Sequence, residues 1–192
     1  MEEREMIVRI QRGDMEAFEA LFQLYKDKAM RTVYLMTGNQ MASEDIVQEA
    51  FTTCYLSVKT LKNPEYFKTW FFKLLTRIAW RHMKKEKRLV PIEEIGELIE
   101  RDKRGYYPDV MEERERARVL YNEILKLDLK LQTTLILYYY NELSVSEIAR
   151  VMGCLEGTVK SRLYTGRKRL KLTLEEEKRY SSPRERLGYG KP

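Results

Sequence analysis

The densest chemistry in the chain lies between residues 143 and 171. From Thr158 to Lys171 there are six basic residues and no acidic one. Thr158, Lys160, Ser161, Arg162, Thr165 and Lys168 supply hydroxyls and cations, the groups that bond base edges and phosphates. Val159, Leu163 and Leu170 recur at helical spacing and turn inward, which leaves Thr158, Ser161, Arg162 and Thr165 on the opposite face. A second helix must hold this one out. Ser144 followed by Glu147 is a capping box that starts it. Ile148, Ala149 and Met152 give it one apolar stripe, and small Ala149 permits a close crossing. Gly153 follows where a turn needs positive φ. Two helices on a short turn, the second basic, form a helix-turn-helix suited to the major groove of DNA. The plainer reading is a short αα-hairpin with a solvated basic face.

Two further helical surfaces carry chemistry. Asp45, Gln48, Glu49 and Thr52 fall at i, i+3, i+4 and i+7, one acidic and polar face opposite a core stripe. It reads as an ordinary solvated face or as a binding surface. Lys73, Arg77, Trp80, Arg81, Lys84 and Arg88 share a face of another helix. Cations that hold phosphates, set around a ring that stacks on an unpaired base, suit nucleic acid. Cations snorkelling around a partly buried Trp are the bland alternative.

Composition narrows the remaining classes. The chain has 192 residues and a net charge of +6, compatible with a polyanion partner. With one histidine, His82, and two distant cysteines, Cys54 and Cys154, no zinc site with standard spacing can be assembled. Both cysteines read as small core residues, and His82 as structural. There is no nucleophile with a base and no phosphate-binding glycine loop, so neither catalysis nor a cofactor is expected. No apolar run approaches the roughly 18 residues of a membrane span. The first residues lack a signal-peptide pattern, which points to a cytoplasmic protein.

The elements that must position these surfaces are helices, and the expected fold class is all-α. A short helix ends near Gly13, and Asp14 caps the next. Phe18, Leu21, Phe22, Tyr25, Ala29 and Val33 form one face of a long helix that Gly38 and Asn39 stop. Ser43 is expected to cap a third helix with Ile46, Val47, Ala50, Phe51, Cys54 and Tyr55 inside. Pro64 suits the first turn of a fourth, which buries Phe67, Trp70, Phe71, Leu74, Leu75 and Ile78. Residues 1–88 thus form one small helical domain. Residues 89–109 read as a flexible acidic linker, with Pro91, Gly96, Gly105 and Pro108 among Glu93, Glu94, Glu97, Glu100 and Asp102 and one helical turn near Ile95. Residues 110–172 form a second domain, with helices centred on Val119, Leu120, Ile124 and Leu127 and then on Leu131, Leu135, Ile136 and Tyr139, closed by the helix-turn-helix. Residues 173–192 read as a poorly ordered polar tail.

The order of these parts resembles a family. The stretches Glu44-Asp45-Ile46-Val47-Gln48-Glu49-Ala50-Phe51, Phe67-Lys68-Thr69-Trp70-Phe71 and Gly157-Thr158-Val159-Lys160-Ser161-Arg162-Leu163, at these separations, are similar to the two-domain bacterial sigma factors of the extracytoplasmic-function type. The resemblance covers most of residues 6–172. It implies a protein that binds core RNA polymerase and directs it to promoter DNA, with an anti-sigma factor as its regulator. By the same resemblance, Asp45, Gln48 and Glu49, with Thr52 on the same face, meet the coiled coil of the largest polymerase subunit. Phe67, Trp70 and the helix through Arg81, with Lys73, Arg77, Trp80 and Lys84, open and read the −10 promoter element. The helix from Glu156 to Lys171, with Glu156, Thr158, Lys160, Ser161, Arg162, Thr165 and Lys168, reads the −35 element. The linker corresponds to a segment threading the polymerase near the RNA exit path.

The chain departs from the family pattern at Arg77 and Arg81, where Asn and Asp are common, and at Leu155, where Ser or Pro usually precedes the recognition helix. The loop at residues 59–65 is short. Both DNA-binding faces are expected to be permanently formed, with nothing in the chain to cover them, so a partner that wedges between the domains or covers their faces is the expected control. Two other classes remain open at this point, a conventional operator-binding regulator and a nucleic-acid enzyme.

Overall fold

The computed structural model describes residues 2–85 and 110–181. The linker and its expected helical turn therefore lie outside the described residues, as do residues 182–192. Every regular element among the described residues is helical, as the apolar periodicities require. In chain order these are α1 (Glu3–Gln11), α2 (Met15–Thr37), α3 (Gln40–Ser57), α4 (Phe67–Lys85), α5 (Val110–Lys126), α6 (Leu129–Leu135) with a wider π-turn (Ile136–Tyr140), α7 (Val145–Met152) and α8 (Glu156–Ser181). None is long and apolar enough to cross a membrane.

Local signals set most of the boundaries. Asp14 accepts the Ala17 N–H at the start of α2, and Gly38, at φ 67°, ends it. Helix α3 differs from expectation. Asn39 caps it by accepting the Ala42 N–H, and Ser43 is buried inside its first turn, bonded to the Asn39 carbonyl. Asn39 and Ser43 are both good caps one turn apart, and the Gly38 stop leaves Asn39 the extended residue. Helix α8 runs through Ser181. The polar tail expected from Thr173 is thus helical for its first two turns, carried on from the packed helix before it.

Helices α1 to α4 pack around an aromatic centre. The Tyr25 ring meets Phe67 and Phe71 edge-on, each at 5.4 Å, and Phe51 lies 5.0 Å from Phe71. The Tyr25 hydroxyl donates to Glu3, tying α1 to α2, and Gln11 donates to the Val58 and Leu61 carbonyls. Phe67, Phe71 and Phe72 are fully buried, so truncating any of them to Ala costs about 3–5 kcal/mol.

The second half packs α8 across α6. An added Cβ on Gly166 would stand 2.9 Å from the Leu135 side chain, so glycine is what allows this close crossing. The two halves share one apolar core, running from Ile7 through Leu75 and Leu135 to Leu163. Helix α7 packs on α4, and α5 and α6 pack on α2. The two domains expected from the sequence lie closed on each other.

Candidate nucleic-acid interface

Helix α8 is built as its sequence required. Ser144 accepts the Glu147 N–H and Glu147 accepts the Ser144 N–H, so the capping box that starts α7 is complete. Burial pushes the Glu147 carboxyl up, but the Ser144 amide and hydroxyl outweigh it and the net shift is downward. Gly153 turns the chain at φ 62°. Ile148 and Ala149 are buried while Met152 is half-buried, and across the turn Val159 and Leu163 are buried. Lys160, Ser161 and Lys168 are exposed, as are Glu156 and Gly157.

Thr158, Arg162 and Thr165 are half-buried on the flank of the same face. The Arg162 guanidinium rests on the turn, 3.9 Å from Met152 Sδ and 3.7 Å from Cys154 Sγ. Both are weak donations from Nη1 to sulfur, and they hold the guanidinium beside the turn. Leu155, 79% exposed, stands at the helix start with no side-chain acceptor to offer. A cation missed in the sequence also lies here: Arg167 donates to the Tyr139 hydroxyl at 2.6 Å and sits over the Tyr138 and Tyr139 rings. Those tyrosines, of which only Tyr139 had been placed on its helix, were the available signal.

Helix α4 is buried on two stripes rather than one. Phe67, Phe71, Leu75 and Ile78 form the expected stripe. Thr69, Phe72, Thr76 and Trp80 form a second, about 150° around the helix from the first. Trp80, expected on the exposed cationic face, is half-buried, and its indole N–H donates to Thr133 Oγ1 of α6 at 3.0 Å. Phe67, assigned to the DNA surface by resemblance, is fully enclosed and presents nothing to a ligand. Trp70 is half-buried, tilted against Phe67 at 5.9 Å. Arg77, Arg81 and Lys84 are exposed and Lys73 is half-buried, so the cationic surface exists without the ring at its centre. At the other end of α4, Arg150 of α7 lies over the Tyr66 ring at 5.4 Å.

The acidic face of α3 divides in two. Asp45, Gln48 and Thr52 are exposed. Gln48 and Thr52, with Glu44, border a groove of about 580 Å³ between α2 and α3, floored by Phe18, Phe22, Met30, Val47 and Phe51. Met15 and Tyr55, 56% and 37% exposed, extend its apolar lining. The sequence placed Phe18 and Phe22 on one face of α2, and periodicity marks an apolar face without saying how much of it is covered. Glu49 turns the other way. It accepts a bond from His82 at 2.8 Å and pairs with Arg81. His82, read from the sequence as structural, is a half-buried tie between α3 and α4. The His82 bond first, then Arg81, hold the Glu49 carboxyl below its ordinary value.

A polar face over an apolar groove and a cationic helix end thus precede an exposed basic helix in the chain. The family model for Sigma-70 region 2 matches residues 21–89, and that for Sigma-70, region 4 matches residues 117–170. The ECF RNA polymerase sigma factor SigW of Bacillus subtilis is 30% identical over 181 residues, spanning 90% of this chain and 97% of its own. The RNA polymerase sigma factor SigV of the same organism is 32% identical over 154 residues, covering 80% of this chain and 88% of its own. Among solved structures, the sigma factor RpoE in complex with the anti-sigma factor NepR from Bartonella quintana superposes with a TM-score of 0.63 at 17% identity, over 82% of this chain and 96% of that one. The last likeness supports the fold. The matched regions and the SigW likeness over nearly the full length together show that the chain belongs to the extracytoplasmic-function family of RNA polymerase sigma factors, which direct promoter recognition and transcription initiation.

Proposed function

We propose that three surfaces divide the work of this sigma factor. Asp45, Gln48 and Thr52, with the apolar groove beneath them, dock on core polymerase. The exposed cations of α4, with Trp70 and Trp80 once uncovered, hold and stack the −10 strand. Helix α8 reads the −35 duplex, with Ser161 and Arg162 toward base edges and Lys160 and Lys168 toward phosphates. Phe67 positions α4 from inside. The observation that carries the reading is α8 itself: a basic helix fixed by buried Val159 and Leu163, with Lys160, Ser161 and Lys168 exposed beyond it.

The mechanism follows from these chemistries. Phosphate contacts set register, and base edges in the major groove carry sequence. Stacked rings offset the few kcal/mol needed to unstack a base. The protein acts in the cytoplasm as a specificity subunit and not as a catalyst, since sigma factors are not an enzyme family. A protein partner controls it, as the complex of RpoE with NepR exemplifies for a chain of similar fold.

The polymerase surface is tested by replacing Asp45 and Gln48 together with Ala. Both are exposed, so thermal stability should change by no more than about 1 kcal/mol, while capture by tagged core polymerase falls sharply. Undiminished capture would remove this role from α3.

A further inference from the structure

One position of the helix-turn-helix breaks two local rules at once. Leu155 is the last residue before α8. Its carbonyl accepts the Thr158 N–H at 2.9 Å and the Val159 N–H at 3.2 Å, so it occupies the capping position. A Ser, Thr, Asp or Asn there would satisfy one of the first free N–H groups of the helix, and a Leu side chain cannot. The side chain also lacks apolar cover. At 79% it is the most exposed large hydrophobic residue among those described. The preceding helix of the same motif is capped in full by Ser144 and Glu147, so the failure is confined to the leading end of α8. A rule broken in one place, with nothing inside the protein to compensate, marks a surface shaped for something outside it.

The next two residues say what that surface meets. Glu156 and Gly157 are exposed. A Cβ added to Gly157 would touch nothing within 4 Å. The packing of the chain therefore does not require glycine, which weakens a helix, and its small size serves a body that approaches from outside. Leu155 has no donor and Glu156 carries negative charge, so this end of α8 repels phosphate, unlike Lys160 and Lys168 further along. Base edges are what remains, and the second helix of such a motif places its first residues there. In the major groove an apolar side chain finds one apolar group, the C5-methyl of thymine. Arg162 stands close by, its guanidinium 3.7 Å from the sulfur of Cys154, the neighbour of Leu155.

We propose that Leu155 is a thymine-methyl reader: it selects a thymine at one position of the −35 element, beside the base pair set by Arg162. The inference rests on the assignment of α8 to the −35 duplex and deepens it. A leucine exposed in the free chain becomes covered by the methyl group in the complex, so the discrimination comes from burial and uses no hydrogen bond. Two consequences separate it from the other contacts of α8. Uracil presents the same hydrogen-bonding edge as thymine without the methyl, so it isolates this contact. An apolar contact is also indifferent to salt, whereas the lysine contacts to phosphate weaken as salt rises.

Core polymerase loaded with the full chain can select from duplexes randomised across the promoter region, made once with thymidine and once with deoxyuridine. One selected thymine should lose its preference in the uracil pool and with Leu155→Ala alike. It should lie within about one or two base pairs of the position altered by Arg162→Ala. On a single selected duplex, dT→dU at that position should weaken binding about fourfold, the worth of one buried methyl, by the same factor at low and high salt. Leu155→Ala should weaken the thymine duplex as much and leave the uracil duplex unaffected, so the two changes together cost no more than either alone. Leu155→Met should keep the preference. Leu155→Ser should lose it while supplying a cap to the helix, which rules out poor folding as the cause. A thymine preference that survives Leu155→Ala, or a variant that binds thymine and uracil duplexes equally more weakly than the wild type does, would overturn the reader. An upstream element that Arg162→Ala alters but that holds no methyl-sensitive position sinks the reader alone. If no upstream element is selected, or Arg162→Ala leaves it unaltered, the assignment of α8 falls with it.

Discussion

Glu49 shows how one side chain serves two surfaces. It lies on the α3 face assigned to polymerase, yet its carboxylate is bonded to His82 and paired with Arg81. Arg81 is thereby held beside α3. The carboxyl is depressed below its ordinary value, chiefly by the His82 bond. A depressed carboxyl stabilises the fold fully above its unfolded value, about 4.3 for Glu, and that contribution fades as pH falls through the lower folded value. The pair is more than one-third exposed, so solvent screens it and the effect is modest. Glu49→Gln should lower the melting temperature slightly at neutral pH, and its curve should merge with the wild-type curve as pH falls below about 4. A difference that persists in acid would mean that shape, not charge, carries the contact. Nothing in the sequence separated Glu49 from Asp45, because a helical face shows spacing and not which neighbour a carboxylate meets.

At the scale of elements, the helix-turn-helix makes the cleanest division of labour. Arg162 lies beside the turn, whereas Lys168 is exposed further along α8. Arg162→Ala should relax recognition at one or two base pairs, costing roughly 1–3 kcal/mol. Lys168→Ala should weaken all sequences alike and flatten the salt dependence of binding. Identical sequence profiles and salt slopes for the two variants would refute the division. This motif was legible because its signals are local: Ser144, Glu147 and Gly153 act within a turn of where they stand. Ser43 misled for a related reason, since a good cap can be displaced by a better-placed one at Asn39. Trp80 misled differently. Its position among cations was read correctly, but periodicity assigns a side chain to a face, and only tertiary packing says whether solvent or Thr133 occupies that side.

At the scale of the whole molecule, the closed arrangement was the least legible feature. Its bonds join Tyr121 to Tyr34, Gln132 to Leu35 and Met36, and Asn141 to Thr32, pairs about a hundred residues apart. Polar residues of this kind look like surface in a sequence, because their acceptors are backbone carbonyls that no pattern of side chains reveals. The family assignment was legible, by contrast, because it rests on three short stretches in a fixed order. The central claim is that this chain gives core polymerase its promoter choice, and run-off transcription on a genomic DNA library tests it most directly. Core polymerase with the chain should give discrete transcripts whose upstream sequences share two elements, one contacted by α4 and one by α8. Asp45→Ala with Gln48→Ala should abolish those transcripts. Core polymerase that starts at the same places with and without the chain would contradict the account.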